Sequence, residues 1–98
     1  MMRVELSPRA REQVQRIDGW WRDNRPAAST LFADELAVAL GRLEAEESLG
    51  IRYPYPLFEV RRFLLAGSRY HVFYSVEGDL VKVRAVWHAA RGKGPPLR

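Results

Sequence analysis

Only two side chains in this sequence titrate near neutral pH, His71 and His88. Imidazole can act there as a general base or acid. Along the same half of the chain stand Arg61, Arg62, Arg69, Lys82, Arg84 and Arg91. Guanidinium forks fit phosphate oxygens two at a time and could stabilise the extra charge of a phosphorane-like state. Phe73, in their midst, offers a ring on which a nucleobase could stack. The plainer alternative is a solvated sheet face whose charges discourage edge-to-edge aggregation. The two histidines are then ordinary surface groups, since chemistry would need a paired geometry that spacing alone does not supply.

Those residues depend on one stretch for their placement, Arg69 to His88. Glu77-Gly78-Asp79 marks a reverse turn, because Gly78 can take a positive φ and Gly-Asp suits a two-residue hairpin loop. With that loop, Val76 faces Val81, Tyr74 faces Val83, Val72 faces Ala85 and Tyr70 faces Trp87. These eight side chains share one face, since neighbours along a strand alternate. The opposite face collects Arg69, His71, Phe73, Ser75, Lys82, Arg84, Val86 and His88. A one-residue slip would mix apolar and basic sets, so the pattern argues for this register.

The rest of the chain supplies the layer behind the hairpin. Arg3 to Leu6 is a short strand. Ser7-Pro8 opens a helix, serine as cap and proline in the first turn, where its missing N–H costs nothing. Ala10, Val14, Ile17 and Trp21 recur at helical spacing, and Pro26 ends the element by disfavouring helix at Arg25. A second helix spans about Ala27 to Glu47, with Phe32, Leu36, Ala39, Leu40 and Leu43 as its stripe and Gly50 as its stop. So short a link predicts an antiparallel helix pair. Tyr53-Pro54-Tyr55-Pro56 is an extended connector, fit for neither helix nor central strand. Phe58 to Leu65 is a strand, Ala66-Gly67-Ser68 a turn, and Arg91 to Arg98 an irregular basic tail. The order is β-α-α-β-β-β, an α+β fold with a helical hairpin packed on one face of an antiparallel sheet.

Trp20 and Trp21 cannot both face inward, because helical neighbours diverge by about 100°. One of them is expected to be partly exposed and free to meet a partner. Glu44, Glu46 and Glu47 read as a solvated helix end. Paired carboxylates, metal-ligand spacing, a phosphate loop and a Ser/His/Asp set are all missing from the pattern, so neither metal nor cofactor is expected. The 98 residues fit a single domain over 1–98. Without cysteine, disulfides and thiolate metal sites are excluded. No apolar run suggests a membrane span or a signal peptide, which points to a cytoplasmic protein. The net charge of +4 favours acidic partners.

The element order, the alanine-rich second helix, Arg61-Arg62, the run from Tyr70 to Val76 and the ending Ala85-Val86-Trp87-His88-Ala89-Ala90-Arg91 together resemble the RelE/ParE superfamily of bacterial type II toxins. The likeness runs from Val4 to about Arg91. It implies an open concave sheet and a cognate antitoxin that wraps and neutralises the toxin. It also implies one of two targets. RelE-like members are mRNA interferases, which cut message on the ribosome by 2′-hydroxyl attack; ParE-like members inhibit DNA gyrase.

Compared with the nuclease pattern, Arg61 and Arg62 stand where lysines are expected, His71 follows Tyr70 in place of an arginine, and Gly92 to Arg98 holds no tyrosine. Arg91 alone matches. The resemblance therefore implies a ParE-like growth inhibitor and plasmid-stabilisation type of toxin, with Arg62, Arg69, Phe73, Lys82 and Arg84 as a target-binding face and Trp20 or Trp21 at the antitoxin. If the protein is instead a metal-independent endoribonuclease, Arg61, His71, His88 and Arg91 are its candidates. An inactive protein-binding relative is the third possibility.

Overall fold

In the structure, a computed structural model, all residues from 1 to 98 are described. The first strand, β1, is Arg3–Leu6, and α1 is Pro8–Asn24. Ser7 caps α1, its hydroxyl accepting from the Ala10 amide at 3.1 Å, with Pro8 in the first turn. Residues Pro26–Ala28 form a single 3-10 turn, and α2 runs only over Leu31–Ala45, shorter than the expected 27–47. At its start, Ser29 and Thr30 belong to a group that favours caps over helix interiors. The Thr30 hydroxyl reaches the Asp34 carboxylate at 3.0 Å. At its end, Glu46 and Glu47 would set negative charge against the helix's negative pole.

Four further strands follow: β2 (Ile51–Tyr53), β3 (Val60–Leu65), β4 (Tyr70–Glu77) and β5 (Leu80–His88). The sheet order is β1-β5-β4-β3-β2. Strands β2 to β5 pair antiparallel, as expected, while β1 lies parallel to β5. Strand β2 extends the expected order; Pro54 limits it to an edge, the one place a sheet tolerates that ring. The antiparallel α1–α2 pair covers one face through Ala10, Phe32, Leu36, Ala39 and Leu43.

The hairpin turns as anticipated, with Gly78 at φ +61° and Val76 opposite Val81. Beyond Tyr74 and Val83 the pairing shifts: Phe73 faces Ala85, Val72 faces Val86, His71 faces Trp87 and Tyr70 faces His88. Arg84 is the extra residue, a β-bulge that no alternation pattern announces. Past it, the two faces of β5 exchange occupants. Val86 joins the main core instead of the outer face, and Ala85 and Trp87 move to the outer side.

The bulge also lies where β5 loses its neighbour, since β1 ends opposite Val83. Ser7 donates its amide to the Val83 carbonyl at 2.9 Å, and buried Gln13 accepts the Val86 N–H at 2.8 Å. Helix α1 thus satisfies backbone groups that would otherwise be orphaned in the interior. On the far side, Tyr74 fixes the link after α2: its hydroxyl accepts from Gly50 N at 2.8 Å and donates to Glu47 O at 2.7 Å.

Candidate functional site

The outer face of the sheet, opposite the helices, was expected to be open and basic around Phe73. It is neither open nor uniformly basic. Val60, Phe73, Ala85 and Leu97 form a second buried cluster there, bordered by Tyr53, Tyr55, Phe58 and Trp87. Phe73 is 2% exposed, with Tyr53 edge-on at 4.9 Å, so its ring offers no stacking platform. The Tyr53–Pro56 connector and the irregular tail both fold back onto this face, as does Phe58, which was expected in the strand but precedes β3. The available signal was composition, since aromatic side chains in a connector and a leucine in a polar tail need somewhere to be buried.

Two cationic regions flank this apolar strip. At one end, Arg62 lies over Tyr53 at 5.1 Å and Phe73 at 5.9 Å. His71 is half-buried nearby, and burial first, then the Arg62 and Arg69 charges, lowers its pKa below the ordinary 6.5. Arg69 itself is exposed at φ 68°, closing the turn between β3 and β4. At the other end, Lys82 and Arg84 stand with Arg9, Glu12 and Arg98 around a recess of about 420 Å³. Arg84 is heavily engaged: it donates to the Ser75 hydroxyl at 3.0 Å and to Glu77 at 2.8 Å, and it lies 4.3 Å from the Phe58 ring centre.

The nuclease candidates are not assembled into one site. His88, expected beside His71, is carried to the helix side by the bulge and packs edge-on to Tyr70 at 4.9 Å. Arg61 turns toward the helix side and donates to the Gly50 carbonyl at 2.8 Å, holding the link into β2. Arg91 stacks on Trp87, 3.7 Å from its ring centre. His88 and Arg91 share a recess with Tyr70 and Arg16, while His71 lies apart from them beside Arg62 and Arg69.

Of the tandem tryptophans, Trp20 is 46% exposed and Trp21 only 9%. A separate apolar groove of about 450 Å³ runs between α2 and β3, lined by Val38, Ala39, Leu49, Phe63, Leu64 and Leu65. Asp34, Glu35 and Arg42 edge it. Val38 is two-thirds exposed there. Glu35 also closes the β3–β4 turn, accepting from Gly67 N at 2.6 Å and Ser68 N at 2.8 Å. Burial pushes this carboxyl up, but the Ser68 and Gly67 donors outweigh it and leave its pKa below 4.5.

A family model described as the ParE toxin of the type II toxin–antitoxin system parDE matches residues 4–92. The chain belongs to the ParE toxin family. A solved structure titled "Chromosomal ParDE TA system from P. aeruginosa" is similar in fold, with a TM-score of 0.73 at 15% identity. The match covers 90% of this chain and 96% of that one. No curated protein matches. Membership in the ParE family makes this a type II toxin.

The tail is tied to the outer face at few points. Beyond Arg91 it makes no backbone–backbone hydrogen bond. Its carbonyl at Lys93 accepts from Trp87 Nε1 at 2.7 Å, and Leu97 is its only buried side chain. Burying a leucine stabilises by roughly 1.5–3 kcal/mol, and one hydrogen bond adds about 1 kcal/mol. The segment is therefore held by one apolar anchor and one hydrogen bond.

Proposed function

We propose that this protein is the toxin half of a type II toxin–antitoxin pair, that it arrests growth by acting on DNA gyrase, and that a cognate antitoxin neutralises it. The match to the ParE family over residues 4–92 carries this proposal. Its support from geometry is that the two histidines stand on opposite faces of the sheet and Arg61 is engaged with the Gly50 carbonyl, so that of the four candidates only His88 and Arg91 share a recess. Arg62, Arg69, Lys82 and Arg84, on the outer side, are the proposed target-binding cations. Steering by a basic surface accelerates encounter with an acidic partner.

The groove between α2 and β3 is the proposed antitoxin seat, because its lining is mostly apolar and it lies beside the stretch Phe63–Leu65 of β3, which continues past its pairing with β2. An amphipathic helix or an added strand would bury Val38 and Leu64 there. Trp20 is the tryptophan left available to such a partner.

Purified protein should inhibit gyrase supercoiling while leaving translated message intact by primer extension. Codon-positioned cuts in the message would replace this proposal with the ribonuclease, and no growth arrest on expression would favour an inert relative. On binding antitoxin, amides of α2 and β3 should gain protection from hydrogen exchange. Unchanged protection on both elements would remove the groove as the seat.

A further inference from the structure

The outer face is covered by the molecule's own tail, and the tail is mismatched to what surrounds it. Leu97 fills the apolar strip between Val60, Phe73 and Ala85. Gly94 passes so close to Tyr53 that a Cβ would stand 2.5 Å from the tyrosine hydroxyl. The recess beside Leu97 gathers more cations than carboxylates. Arg98 lines it with Arg9, Lys82 and Glu12, while Arg84 is already paired with Glu77. Like charges at close range oppose association, and an acidic occupant would gain what the basic tail loses.

We propose that the segment Gly92–Arg98 is a displaceable strap, and that the partner which displaces it is an acidic, extended protein segment placing a bulky apolar side chain where Leu97 sits. Charge complementarity selects the sign of the partner, and the strip vacated by Leu97 selects its anchor. The two prolines, Pro95 and Pro96, keep the strap extended whether docked or free, so release needs no refolding of the sheet. The proposal does not depend on which target the toxin acts upon.

Three forms of the full fold separate the outcomes: the complete chain, Leu97→Asp, and a chain ending at Gly92. The Trp87 indole N–H resonance reports the strap, since that proton is held by the Lys93 carbonyl. It should shift in Leu97→Asp, and trypsin should cut after Lys93 at least tenfold faster than in the complete chain. A synthetic peptide of sequence EDGPPLE should bind the chain ending at Gly92 at least tenfold more tightly than the complete chain. The same peptide with serine for leucine, and the basic peptide GKGPPLR, should bind more weakly. Unchanged cleavage in Leu97→Asp, or equal peptide affinity with and without the strap, would overturn the proposal. So would a single-stranded oligonucleotide that binds as tightly as the acidic peptide, because the face would then take any polyanion. If Leu97→Asp fails to fold, the chain ending at Gly92 decides through the peptide titration alone.

Discussion

Single residues in this protein carry consequences that their types alone do not reveal. His71 is the clearest case. Its folded pKa lies below 6.5, so between those values the unfolded chain binds more protons than the native one. Stability is then complete above about pH 6.5 and falls as the solution is acidified through the folded pKa. His71→Gln should flatten the dependence of melting temperature on pH in that window; an unchanged slope would mean the histidine is not responsible. Glu35 behaves with the opposite chemistry and the same direction. Its carboxyl is depressed below 4.5, so a second loss of stability should appear below that pH and vanish in Glu35→Gln. Tyr74→Phe would leave the Gly50 N–H without its acceptor and the Glu47 carbonyl without its donor. Denaturant unfolding should register a loss of about 1–3 kcal/mol. Gly50→Ala should also destabilise, because the new Cβ would meet the Arg62 carbonyl at 2.7 Å.

At the level of elements, the bulge at Arg84 decides more than any helix. It carries Val86 inward, turns Ala85 and Trp87 outward, and parts His88 from His71. Deleting Arg84 would leave Val83 opposite Tyr74 and Ala85 opposite Phe73 in unbroken alternation, so Trp87 should stay outward, with cooperative melting and the near-UV signal retained. A collapsed near-UV signal would mean the bulge itself holds the two faces. The turn, the register next to it, the Ser7 cap and the boundaries of α1 were legible because each rests on local chemistry: a positive φ, a hydroxyl, a proline. The bulge was not, since it depends on β1 running out opposite Val83 and on Gln13 reaching the Val86 amide. Those are contacts across most of the chain. The same holds for the site: Arg62 beside His71 could be read from alternation, whereas the covering of Phe73 required the connector and tail to be placed in space.

For the whole molecule, the two faces of the sheet divide the labour. One is closed by the helix pair, leaving a groove between α2 and β3; the other is closed by aromatic residues and the tail. Val38→Asp puts a charge on an exposed position in the groove, so melting should change little. It should nevertheless weaken antitoxin binding by tenfold or more in a titration, while growth arrest by the free toxin persists. Equal affinity of the variant and the parent would separate the groove from neutralisation.

The parallel seating of β1 against β5 has a bearing on biogenesis. Arg3 donates to the carbonyl of Asp79, and Leu6 lies opposite Val83, so β1 finds its partner only in the strand that follows all the others. A nascent chain that has not yet delivered the final hairpin lacks both the seat for its amino end and the central strands of the sheet. The sheet therefore closes only after β5 has emerged, so any surface that needs both of its faces assembled is absent from shorter nascent chains.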